Sequence, residues 1–177
     1  MAEYCVVAAE LAKARIFTLE SSEAPELERS PYLTEQKTLS NPDHKASDSD
    51  ILSDTRSGAH REHQSAQAVG QTTGIPHHNY DEHRDKREHR INREYAKDIV
   101  AELKQIIRDK NVSHLVLCAE PQMLGVLRPE LDTLPADQVT ITEVNKDLAN
   151  LKPQELHSKL ADDGFLPRDR RPSVGGP

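Results

Sequence analysis

The chain has 177 residues, 35% of them hydrophobic, roughly 62 apolar side chains, which is enough for one domain with a core and too few for two. Aromatic residues make up 3% and Trp is absent, so a platform of stacked rings for single-stranded nucleic acid or carbohydrate has almost no material. Lys+Arg 23 against Asp+Glu 30 give a formal charge of -7, and such a molecule repels a phosphate backbone unless its positive charge is gathered in one place.

The first apolar run, Tyr4 to Ala9, is far short of the about 20 residues that a bilayer span needs. Glu3 and Glu10 flank it and no Lys or Arg precedes Lys13, which is the wrong pattern for a secretory signal. No membrane partner and a cytoplasmic location are therefore expected. Cys5 and Cys118 each lie inside an apolar run and read as small buried hydrophobes of a reducing compartment.

Tyr4-Cys5-Val6-Val7-Ala8-Ala9 is continuously apolar, which suits a strand covered on both faces. Arg15-Ile16-Phe17-Thr18-Leu19 alternates and predicts a second strand. The polar segment Leu33 to Leu39 reads as an edge strand stopped by Asn41-Pro42. Residues 41–93 hold seven of the nine histidines and, from the large aliphatic set, only Ile51, Leu52, Val69, Ile75 and Ile91. Such a stretch buries too little surface to offset its ordering entropy and is expected to be a long mobile insertion.

From Ile91 through Tyr95, Ile99, Leu103, Ile106 and Ile107 the spacing becomes three-and-four, predicting an amphipathic helix that starts as early as Asp81, its N-cap. The first turns are basic and almost bare of core residues, so the helix is expected to project from the body. Val112 to Ala119 predicts a buried strand, and Pro121 opens a helix with Leu124, Leu127 and Leu131 inward. Gly125 within that helix implies a close approach to the sheet. Val139 to Val144 alternates as a strand, and Pro153 to Asp163 is a last helix closed by Gly164. This alternation argues an α/β domain with parallel crossovers.

Ala14-Arg15-Ile16-Phe17, Ser53-Asp54-Thr55-Arg56-Ser57-Gly58, Leu115 to Pro121 running into Leu124-Gly125-Val126-Leu127-Arg128, and Asn145-Lys146-Asp147-Leu148 occur in this order. Together they resemble the bacterial host attachment protein family, named for a phenotype rather than a reaction. That family is similar in turn to the middle domain of archaeal and eukaryotic class-one peptide-release factors, which carries a Gly-Gly-Gln loop between core strands and a long helix. The resemblance implies that fold, and the insertion occupies the equivalent place.

Val69-Gly70-Gln71 departs from Gly-Gly-Gln at its first position, where a β-branched side chain disfavours the required backbone geometry. Gln71 is the one weak candidate for catalysis. His60 and His63 are weak metal candidates, but the His60-Arg61-Glu62-His63 order is not that of a zinc helix, and a solvated His-rich loop explains them as well. Arg84, Lys86, Arg87, Arg90 and Arg93 concentrate positive charge at the start of the long helix and, with the basic tail Arg168, Arg170 and Arg171, are candidates for phosphate contact. A solvated helix face is the alternative. Arg128, Lys146 and Asp147 follow parallel crossovers, where open sheets place ligands; alternatively Arg128 pairs with Glu130 or Asp147, and Asp147 caps a turn.

These features predict a single α/β domain over residues 1–166, with core 1–40 and 94–166, a flexible insertion 41–93 and a disordered tail 167–177. Its sheet is expected to be mixed, mainly parallel, with about five strands, and no cofactor is expected. The leading expectation is a non-catalytic, translation-related factor that binds ribosome or structured RNA. The alternative is an interaction or regulatory protein required for attachment to host cells or surfaces, with a protein partner; a hydrolase with the insertion as a lid stands third.

Overall fold

The structure, a computed structural model, describes residues 3–20, 31–44, 78–135 and 137–168. The proposed catalytic Gln71, the metal candidates His60 and His63, the tail residues Arg170 and Arg171 and most of the insertion lie outside the described residues.

Strands β1 (Tyr4–Ala9), β2 (Lys13–Glu20) and β3 (Tyr32–Ser40) precede helix α1 (His78–Lys110), strand β4 (His114–Ala119), helix α2 (Pro121–Leu131), strand β5 (Thr140–Val144) and helix α3 (Pro153–Asp162). They build one five-stranded sheet in the order β3-β2-β1-β4-β5. β1 pairs with β4 and β4 with β5 in parallel, while β2 is antiparallel to both of its neighbours. Four of the five strands therefore run the same way, with β2 the exception, and the expected mixed, mainly parallel sheet is present.

β1 and β4 sit at the centre because both of their faces must be covered. Val6, Val7, Ala8, Leu115, Leu117 and Cys118 are fully buried. Cys5, Val7, Ile16, Leu115 and Leu117 pack under α1 and α2, whereas Val6, Phe17, Val116, Cys118 and Val144 pack under α3. The two free cysteines thus belong to opposite faces of the sheet. Burial pushes both thiols up to about 12, with Lys146 opposing the shift at Cys118.

β3 lies at an edge, as its polar pattern predicted, and the ladder shifts register between Ile16 and Phe17. That bulge, with Glu35 and Lys37 on the edge strand, discourages pairing with another chain. α1 begins at His78, three residues before the predicted N-cap Asp81, and the last part of the predicted insertion is therefore its N-terminal half. Among the side chains described, Asn92 is the first buried one on it, and Tyr95, Ala96, Ile99, Leu103 and Ile107 continue the inward stripe.

Helix ends are closed by backbone geometry. α1 stops at Asn111, with φ 54, and the Val112 N–H returns to the Ile107 carbonyl at 3.1 Å. α3 ends the same way at Gly164, φ 84, with Phe165 N–H bonded to the Leu160 carbonyl at 2.8 Å. The close approach expected at Gly125 is not found. It is exposed, and a Cβ built there meets nothing within 4 Å. Its carbonyl lacks a helical donor because Pro129, four residues on, has no N–H.

Candidate functional site

The parallel strands β1, β4 and β5 all end on one edge of the sheet, and their connections diverge there. β1 turns back into β2 through residues 10–12, β4 enters α2 at Pro121, and β5 runs into the 145–152 loop. This is the place where an open α/β sheet offers a crevice, and it holds Lys146 and Asp147.

Polar side chains tie this edge together. Arg15, 13% exposed, donates to the carbonyls of Ala149 (3.1 Å) and Leu151 (2.7 Å). It also forms a two-point ion pair with Glu35 at 3.1 and 2.6 Å. Its guanidinium lies over the Phe17 ring, 4.8 Å from the centroid. The Glu35 carboxyl is held below its usual range by the Arg15 hydrogen bond. Asn150 donates to Glu10 at 2.6 Å. Burial raises the Glu10 carboxyl above its ordinary value, and the Asp147 carboxylate, which shares a hydrogen bond with it, raises it further. Tyr95 donates to the Leu39 carbonyl at 3.4 Å, and its hydroxyl is pushed well above its usual value by burial and then by the Glu10 charge.

The predicted ligand residues are engaged in such ties. Arg128 pairs with Glu143 on β5, with Nε to Oε1 at 3.0 Å and Nη2 to Oε2 at 2.7 Å. This corrects the expected partners Glu130 and Asp147. Glu130, two residues along, points to another side of the helix, whereas α2 lies across the strand that carries Glu143. The Arg128 hydrogen bond draws the Glu143 carboxyl down. Lys146 reaches Asp163 at 2.7 Å, fastening the 145–152 loop to the end of α3. Asp147 caps its own turn, accepting the Ala149 N–H at 3.2 Å. Arg128, Lys146 and Asp147 are thus neighbours of three different clips, not one converging set.

Among the described residues, no three His, Cys, Asp or Glu side chains converge as metal ligands. The buried Asn92 leaves its Oδ1 without a hydrogen-bond partner. No helix is long and apolar enough to cross a membrane among the described residues.

The other candidates lie on α1. Lys86, Arg87, Arg90 and Arg93 are exposed, and Arg84 is in the first turns of the same helix. At about 100° per residue, Lys86, Arg90 and Arg93 fall on one stripe, while Arg87 stands about 100° round the axis. Sequence reasoning missed the downstream Lys97, Lys104 and Arg108, which repeat the same three-and-four spacing and were legible from it. It also missed Glu10, Arg15 and Asn150, whose partners are distant in sequence and carry no local signal.

A family model described as "Protein required for attachment to host cells" matches residues 5–160, from β1 into α3. No curated protein matches the chain.

Proposed function

The chain belongs to the family of proteins required for attachment to host cells, and we propose that it serves attachment as an interaction or regulatory protein acting through a bound partner. The family match over 5–160 carries this reading. Two features support it. The polar residues at the carboxyl edge of the sheet are spent on clips that hold loops in place, and α1 presents a strongly charged stretch over residues 85–90 that is exposed but for the half-buried Glu88. A rigid sheet carrying a projecting charged helix is suited to docking. The partner is met in the cytoplasm.

A second reading is a translation-related factor that binds ribosome or structured RNA, as the sequence resemblance to release-factor middle domains implies. The exposed Lys86, Arg87, Arg90 and Arg93 favour it.

Adhesion of cells lacking this chain tests the first reading. Adhesion is expected to fall, and to be restored equally by the wild type and by Gln71→Ala. Undiminished adhesion without the chain would overturn the attachment reading; restoration by the wild type alone would move the function to hydrolysis by the insertion.

A further inference from the structure

Six cations of α1 share one narrow arc of the helix. Lys86, Arg90, Arg93, Lys97, Lys104 and Arg108 are spaced 4, 3, 4, 7 and 4 apart, which keeps all six within an arc of about 60° to 80°. All are exposed except Lys104, which is half-buried. Glu94, Asp98, Glu102 and Asp109 occupy a separate neighbouring arc, and Lys37 of β3 pairs with Glu102 at 3.2 Å. Opposite charges also stand at i, i+4 on this helix, as at Glu82 and Lys86 or Arg90 and Glu94, but Lys86 and Arg90, Arg93 and Lys97, and Lys104 and Arg108 place like charges at that spacing along the one arc, each costing a few tenths of a kcal/mol.

The stripe does not stop at the end of the projecting half. It runs about 33 Å to Arg108 and opens on a groove of about 590 Å³ at the opposite edge of the sheet. Lys104, Arg108, Asn111, Ser113, Thr133 and Gln138 supply the polar groups of that groove. A straight row of cations ending in a polar groove matches a linear polyanion rather than a compact ligand.

We propose that this stripe, from Lys86 to Arg108, is a docking track for the phosphate backbone of duplex nucleic acid. The inference rests on the reading that α1 takes up phosphate and extends it to the three downstream cations and the groove. Duplex is favoured over single strand because rings for stacking are missing from the track: aromatic residues are 3% of the chain, and Tyr32 on β3 is the one exposed large apolar side chain among the described residues. The overall charge of -7 repels phosphate everywhere else, which fixes the orientation of docking. Recognition is through backbone shape and charge, without base readout.

The experiment is fluorescence anisotropy of the full chain, titrated into labelled RNA and DNA duplexes of about 20 base pairs, longer than the stripe. A matching single strand and vesicles containing an anionic lipid are titrated in parallel. Two variants, Lys86→Gln/Arg90→Gln/Arg93→Gln and Lys97→Gln/Lys104→Gln/Arg108→Gln, are checked for fold by circular dichroism, and single Gln substitutions stand in for a triple that does not fold. Six neutralised phosphates predict a slope of about -5 in log affinity against log salt, and each triple is expected to lower its magnitude by about 3. The RNA and DNA arms identify which duplex is the ligand. An unchanged slope in the downstream triple, with loss in the upstream one, would overturn the full-length track while leaving phosphate contact by the projecting half intact. Absence of duplex binding at low salt would overturn both, and tighter binding to the single strand or to vesicles alone would overturn the duplex assignment.

Discussion

Arg15 and Glu10 show how single side chains decide the shape of the carboxyl edge. Arg15 satisfies two loop carbonyls and one carboxylate at once, so it holds the 145–152 loop against the sheet through charge-assisted bonds. Glu10 works against its surroundings, because burial and Asp147 both disfavour its charged form. A carboxyl with a raised value in the folded protein contributes stability below its unfolded value, and that contribution is lost as pH rises through the folded one. Glu20, Glu35 and Glu143 have lowered values through Lys110, Arg15 and Arg128 respectively, so their contribution is present above the ordinary carboxylate range and lost as pH falls. Glu10→Gln is therefore expected to stabilise the protein by about 0.5 kcal/mol at pH 7 and by less at pH 4. Urea unfolding at the two pH values checks this, and a gain that is equal at both, or larger at pH 4, would contradict it.

At the scale of elements, the sequence was legible where pattern and environment agree. β1 and β4 are continuously apolar and lie at the centre of the sheet. Leu33 to Leu39 is polar and lies at its edge, and Gly164 closes α3 in the left-handed conformation that glycine accepts without strain. Gly125 was misjudged because a helical glycine has two explanations, close packing or simple tolerance, and only the neighbours distinguish them. With open space around it, Gly125→Ala is expected to raise stability by about 0.5 to 1 kcal/mol, read as a rise in the thermal midpoint; a fall would show that the glycine accommodates the Pro129 ring. Arg128 and Glu143 were missed as a pair because they meet across a helix–strand interface that no local spacing reports. The downstream half of the basic stripe was overlooked for another reason. From Tyr95 onward the apolar periodicity dominates, yet the outward face of the same helix carries a second periodicity in charge.

For the molecule as a whole, the proposal divides function between a fixed body and a charged helix. The sheet holds α1 through its last four turns, which are anchored by Ile99, Leu103 and Ile107 in the core, while residues 85–90 are exposed but for the half-buried Glu88. The chain belongs to the attachment family, and the basic arc of α1 is the contact we propose for it. The most direct test is adhesion of cells lacking the chain and complemented with Lys86→Gln/Arg90→Gln/Arg93→Gln, a variant expected to keep its fold because all three side chains are exposed. Adhesion is predicted to stay at the level of the uncomplemented cells although the variant accumulates as a folded protein; full restoration would show that attachment does not depend on this face of α1.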